Sequence, residues 1–182
     1  IQRAISKGSD KESASYTETT YEGYANGGIA IFIEATTDNT QRTISNVRSY
    51  FNKYGGSLGT NGSLSFIFDR KGIFSVPQGT LDQDEFEMTV IDAGAEDLQL
   101  EEGFFTITTA MEDFGTMMKK LEEMGIEPES AKLQRIPNDT TKLDLESSKK
   151  VMRLIEYFEE DDDIQAVYHN MEITDELMDS LE

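Results

Sequence analysis

The sequence predicts an α+β protein made of two ferredoxin-like-type α+β domains, the second inserted into the first. Strand-like and helix-like patterns alternate along the chain, and the charge changes abruptly near residue 80. Element order is the third observation: strand, helix and two strands over residues 29–77 are completed by a helix and a strand over 145–173. Without that second helix one side of the first sheet would be poorly covered, which favours insertion over two consecutive domains meeting near residue 80.

Taken in order, "IAIFIEATTD" (29–38) sets Ile29, Ile31 and Ile33 against Ala30, Phe32 and Glu34, the period of two of a strand. Asp38, Asn39 and Thr40 offer helix caps, after which Ile44, Val47, Phe51 and Tyr54 recur at helical spacing until Gly55 stops the helix. Arg42, Ser45, Asn46, Ser49 and Lys53 fall on the opposite, solvent side, with Arg48 on its flank. "SLSFIFD" (63–69) and "GIFSVP" (72–77) are expected strands joined by "DRKG" as a turn. Gly79, Asp82 and Asp84 then mark a junction.

Beyond it, "DEFEMTVIDAGA" (84–95) predicts a short helix and "DLQLEEGFFTITTAM" (97–111) two strands about a Glu-Glu-Gly turn. "EDFGTMMKKLEEMG" (112–125) predicts a helix whose stripe of Phe114, Met117, Met118, Leu121 and Met124 fills a core. "AKLQRIP" (131–137) is a further strand. "DLESSKKVMRLIEYFEEDDD" (144–163) is a helix capped by Asp144 with Val151, Leu154, Ile155 and Phe158 inside, and "IQAVYHNMEI" (164–173) is the last strand. The expected domains are residues 15–80 plus 142–182, discontinuous, and an acidic insertion over 81–141.

With 182 residues, 37% of them apolar, the chain can bury one large core or two small ones. No apolar run approaches the roughly 18 residues of a membrane span. There is no cysteine, which excludes disulfides, thiolate nucleophiles and cysteine-ligated zinc and fits an intracellular, cytoplasmic setting. The opening "IQRAISKGSD" has neither a starting Met nor a signal-peptide core and reads as the interior of a longer chain. The net charge of −20 is unevenly divided, +1 over residues 1–80 and −21 over 81–182. Within residues 40–75, Arg42, Arg48, Lys53, Arg70 and Lys71 stand against one acid, Asp69, so a polyanion should be met there.

The glycine-rich "GGSLGTNG" lies after a helix and before a strand, the reverse of what a phosphate loop needs, and matches no nucleotide-binding pattern. Gly55, Gly56, Gly59 and Gly62 are therefore read as shaping a corner. His169 is the sole histidine, which rules out a multi-histidine metal site; no serine sits in a nucleophile elbow, and the acidic run 159–163 lacks the spacing of a calcium loop. No enzyme, cofactor or metal is expected. "RKGIFSV" (70–76) has the outline of an RNA-recognition strand, yet Ile73 and Ser75 stand where stacking aromatics should be, which leaves backbone contact by the basic face.

"IQRAISKG" (1–8), "NTQRTISNVRSYFNKYGGSLGTNGSLSFIFDRKG" (39–72), "LQRIPND" (133–139) and "DDIQAVYHNMEI" (162–173) resemble, in order along nearly the whole chain, the landmarks of the YebC/PmpR family. The resemblance implies a non-enzymatic, cytoplasmic or mitochondrial protein of three domains. It implies a role either as a DNA-binding transcriptional regulator or as an RNA-binding translation factor that relieves stalling on ribosomes. It also implies that residues 1–14 are the tail of an N-terminal helical domain whose Gly-His-Ser-Lys-Trp signature is not in this sequence. Its central pattern falls on Arg42, Arg48, Lys53, Arg70 and Lys71, the candidate phosphate contacts, and on the four glycines. The expected partners are ribosomal RNA or DNA, with ribosomal proteins against the acidic insertion, and the expected state is a monomer. The alternative is a ferredoxin-like protein-interaction or ligand-sensing module without nucleic-acid contact.

Overall fold

A computed structural model describes residues 15–181; the tail expected at residues 1–14 lies outside them. The chain divides into two compact units. One runs to Ile67 and resumes at Pro137, and the other spans Phe68–Ile136. Each has a four-stranded sheet and its own apolar core, so the protein is α+β in two parts.

In the first unit, β1 (Thr17–Tyr24) and β2 (Ala30–Thr37) form an antiparallel hairpin that pairs Thr17 with Thr37 and Tyr24 with Ala30. Helix α1 (Thr40–Lys53) follows, its first turn capped by Asn39, whose side chain accepts from the Arg42 amide at 3.0 Å. The two-residue β3 (Ser57–Leu58) returns to β1. After the second unit come α4 (Leu145–Glu160), capped by Asp144, and β8 (Ile164–His169), which lies antiparallel to β2. The sheet order is β3-β1-β2-β8. Ile29, Ile31 and Ile33 pack with Val47 and Phe51 of α1 and Leu154 and Phe158 of α4, the stripes their spacing predicts. A short α5 (Asp175–Ser180) inserts Leu177 into that core.

The second unit is β4 (Phe68–Pro77), α2 (Gln83–Asp92), β5 (Ala95–Glu101), β6 (Phe104–Ala110), α3 (Phe114–Glu123) and β7 (Ser130–Pro137). The order β5-β6-β4-β7 with two helices between strands is the complete βαββαβ, ferredoxin-like arrangement. Phe74, Phe86, Phe105, Ile107, Met117 and Leu121 make its core. β5 and β6 turn at Glu102 and Gly103, both at positive φ (52° and 81°), the backbone of a tight hairpin.

Four expectations change. Residues 61–67 form turns, whereas 63–69 had read as a strand. Gly62 takes a φ of 92°, and of the two residues whose alternation suggested a face, Leu64 is buried while Phe66 is 75% exposed. "DRKG" is no turn: Lys71 and Gly72 pair with Ala110 and Thr109 inside one long β4. Gly72 is there because a Cβ would fall 2.5 Å from the Thr109 hydroxyl, not because the chain bends. Strand β1 went unread, its apolar alternation diluted by Thr and Glu, although it is a central strand. Finally, because β4 pairs with β6 and β7, the boundaries fall after Ile67 and Ile136 rather than after residues 80 and 141.

Candidate nucleic-acid interface

The glycine loop is built around an anion the protein supplies itself. Tyr21 and Gly23 of β1 face the helices, so Glu22 between them points to the opposite face of the sheet, where it is 2% exposed. Its carboxylate accepts the amides of Gly62 and of Leu64 (3.0 Å), and its carbonyl accepts that of Gly59 (2.7 Å). A carboxylate thus occupies the place a phosphate would take in a nucleotide loop. Gly55, at a φ of 78°, terminates α1. Gly56 is required by closeness, since a Cβ there would lie 2.4 Å from the Tyr24 carbonyl oxygen. The four glycines turn a corner, and the corner is locked by Glu22.

On the outer face of α1, Arg48 and Lys53 are exposed, with Ser45, Ser49 and Asn52 completing an open, shallow depression. Arg48 makes no ion pair. Lys53 leans on α4: its ammonium donates to the Tyr157 hydroxyl at 3.1 Å and sits 4.5 Å from that ring's centroid, with Tyr54 at 5.8 Å. The hydrogen bond to Tyr157 raises the Lys53 pKa, and the same contact lowers that of Tyr157. Tyr50, beside Tyr157, is pushed up to about 12, first by burial and then by its hydrogen bond to Asp161. Lys53 therefore stays charged, aimed by a tyrosine cluster that the sequence reading did not include.

Arg42 serves a different purpose. Its guanidinium grips Asp163 through Nε and Nη2 and also meets Asp38 at 2.8 Å. Two carboxylates against one guanidinium leave no free positive charge for a phosphate. Thr43 donates a further bond to Asp163 at 2.9 Å, so this contact ties the start of α1 to the entry of β8. Burial pushes the Asp163 carboxyl upward, but the bonds from Arg42 and Thr43 outweigh it and hold the group below its ordinary value. A carboxylate whose folded value is depressed stabilises the fold above its unfolded pKa, and that contribution is lost as pH falls through the folded value. Asp163→Asn is expected to cost about 2 kcal/mol at neutral pH and to flatten the decline of stability below about pH 4. Urea midpoints measured from pH 3 to 7 check this, and an unchanged acid limb would exclude the assignment.

The other two predicted contacts lie in the second unit. Arg70 is exposed on β4 and makes no ion pair. Lys71 donates to Glu96 at 2.6 Å, a contact that raises its pKa. The five residues thus divide into Arg42, Arg48 and Lys53 on one unit and Arg70 and Lys71 on the other, and Arg42 and Lys71 are engaged by carboxylates. His169 accepts the Met171 amide through Nδ1 at 3.1 Å, and burial lowers its pKa, as befits a structural imidazole. Among the described residues no group of His, Asp and Glu is placed to hold a metal, and no helix is long and apolar enough to cross a membrane.

Comparison with known proteins supports the family resemblance. The family model described as the TACO1/YebC second and third domain matches residues 16–171. A probable transcriptional regulatory protein of Amoebophilus asiaticus is 48% identical over 174 residues, covering 94% of this chain and 71% of its own. One from Chlorobaculum parvum is 45% identical over 184 residues, covering all of this chain and 73% of its own. Among solved structures, the conserved hypothetical protein Aq1575 from Aquifex aeolicus superposes with a TM-score of 0.79 at 40% identity, covering 90% of this chain and 68% of that one.

Proposed function

The chain belongs to the TACO1/YebC family, and from that premise we propose that it is a non-enzymatic, cytoplasmic regulator of gene expression that acts by binding nucleic acid. The observation that carries this reading is a gap in the acids. Between Asp38 and Asp69 there is no Asp or Glu, in a chain where 36 of 182 residues are acidic. That stretch holds α1 with Arg48 and Lys53 exposed, and the glycine corner. A polyanion repelled by most of this surface finds the exposed Arg48 and Lys53 and no carboxylate on α1 itself. Arg48, Lys53 and Arg70 are assigned as phosphate contacts, whereas Arg42 and Lys71 are assigned to internal ion pairs. The relatives' names point to transcription; a phosphate-reading face suits ribosomal RNA equally, and recovery of RNA or promoter DNA after cross-linking in cells distinguishes them.

The direct test is salt-dependent binding of the chain to labelled RNA. Each phosphate contact removed should lower the slope of log K against log salt by about 0.7–0.9. Ala at Arg48, Lys53 and Arg70 together is therefore expected to lower it by about 2, while Ala at Lys71 leaves it unchanged. A triple variant with wild-type affinity and slope would refute the assignment of these three residues.

A further inference from the structure

We propose that a groove at the C-terminal end of α3 receives an apolar side chain from a lysine- and arginine-rich segment of a partner protein. The groove holds about 400 Å³ and is lined by Met118, Glu122, Gly125, Ile126, Glu127 and Pro128. The stripe of Phe114, Met117, Met118, Leu121 and Met124 reads in sequence as one core face, but the structure splits it. Met117 and Leu121 are fully buried, whereas Met118 is 38% exposed and lines the groove. The helix end beneath it is fixed. Gly125 takes a φ of 73°, and the Ile126 amide bonds back to the Leu121 carbonyl at 2.8 Å, the six-to-one closure of a Schellman cap. Ile126 packs half-buried against the core, and a Cβ on Gly125 would meet nothing within 4 Å, so the hollow has its shape before a partner arrives. A single exposed methionine is ordinary; an apolar hollow on a rigid helix end is a docking feature.

Charge in and around the hollow specifies the partner. Glu122 and Glu127 line it, both exposed, and among the described residues neither takes part in an ion pair. Residues 121–131 hold four Glu and no Lys or Arg, and the carbonyl end of α3 adds its partial negative charge. The neighbouring lysines point elsewhere. Lys119 and Lys120 line a separate depression with Asp92 and Glu123. Lys132 follows Ala131, which packs against the core, so it emerges on the other face of the sheet. The unit as a whole, Phe68–Ile136, sets sixteen Asp and Glu against six Lys and Arg, a field that draws in a basic chain. Nucleic acid and anionic lipid are repelled by the same carboxylates. The hollow is open to solvent, a shape that covers a protruding side chain but leaves a free small molecule largely in water. Methionine, flexible and polarisable, suits a wall that accepts differing apolar side chains. The groove shares no residue with the face assigned to phosphate, so either site can hold without the other.

The test is titration of the isotope-labelled chain with the peptide Lys-Arg-Leu-Phe-Lys-Arg at physiological salt, read by NMR shifts. Shifts are expected to centre on the amides of Glu122, Gly125 and Ile126 and on the Met118 methyl, and the methyl shift is expected to vanish when Ser replaces Leu and Phe in the peptide. Met118→Ser is expected to weaken binding about fivefold, and Glu122→Gln with Glu127→Gln about fivefold. Asp84→Asn with Glu87→Gln on α2, the same change of charge elsewhere on the unit, is expected to keep affinity within about twofold. All these side chains are exposed, so the variants should keep the wild-type unfolding midpoint. Shifts spread evenly over the acidic surface, shifts centred on the exposed Met88 and Ile91 of α2, or equal losses in the two charge variants overturn the groove as the site. Absence of any shift does the same. A dimer in sedimentation that Met118→Ser abolishes would seat a second copy in the groove and overturn the basic partner.

Discussion

Phe51→Ala is expected to cost the first unit about 3–5 kcal/mol, a large share of the roughly 5–15 kcal/mol that holds a domain folded. The ring is fully buried and packs edge-on against Phe158 with centroids 5.1 Å apart. Two glycines are shaped to it: a Cβ on Gly23 would lie 2.7 Å from its Cζ, and one on Gly56 3.1 Å from its Cδ1. Backbone flanked by glycine on two sides cannot close in with side chains, so the cavity left by truncation stays open. Phe51→Leu, which refills most of the space, should cost less than about 1.5 kcal/mol. Urea unfolding at constant m-value measures both; a loss under 1 kcal/mol for alanine would mean the site collapses, contrary to this packing.

Glu22→Ala is the second large effect, expected at about 3 kcal/mol. It strands the amides of Gly62 and Leu64, for which the carboxylate is the acceptor. Glu22→Gln keeps one acceptor oxygen and should fall between the two. Amide exchange discriminates the cause: in Glu22→Ala, Leu64 should lose protection while the Ile33 amide, in the β1–β2 ladder, keeps it. Equal loss at both would show that Glu22 supports the sheet and not the loop.

What the sequence made legible was periodicity. The helical stripe of Val47 and Phe51, the capping by Asn39 and Asp144 and the hairpin about Glu102 and Gly103 are local, and local patterns survive into the fold. Partnership was not legible. Nothing near Arg42 announces Asp163, and nothing near Lys53 announces Tyr157, because each partner is more than a hundred residues away. For the same reason the list of basic residues could not be sorted into free and engaged cations. Strand β1 was missed because Glu22, the buried one of its two acids, looks like a solvent residue until the loop amides it serves are seen. "SLSFIF" misled in the opposite sense: its alternation is real, but Gly62 turns the chain before a ladder can form.

Strand β2 pairs on one edge with β1, just before it, and on the other with β8, so that Ile31 lies opposite His169. A ribosome delivers every strand of the second unit before it delivers β8. The unit that begins first in the sequence is therefore the last to close, and until residues 164–169 emerge the β2 edge is open, with amides and carbonyls unsatisfied beside Ile31 and Ile33. Synthesis halted anywhere between residues 137 and 163 leaves a complete second unit joined to an adhesive, unfinished first one. The discontinuous layout thus makes completion of translation a condition for folding the unit whose helix α1 carries Arg48 and Lys53.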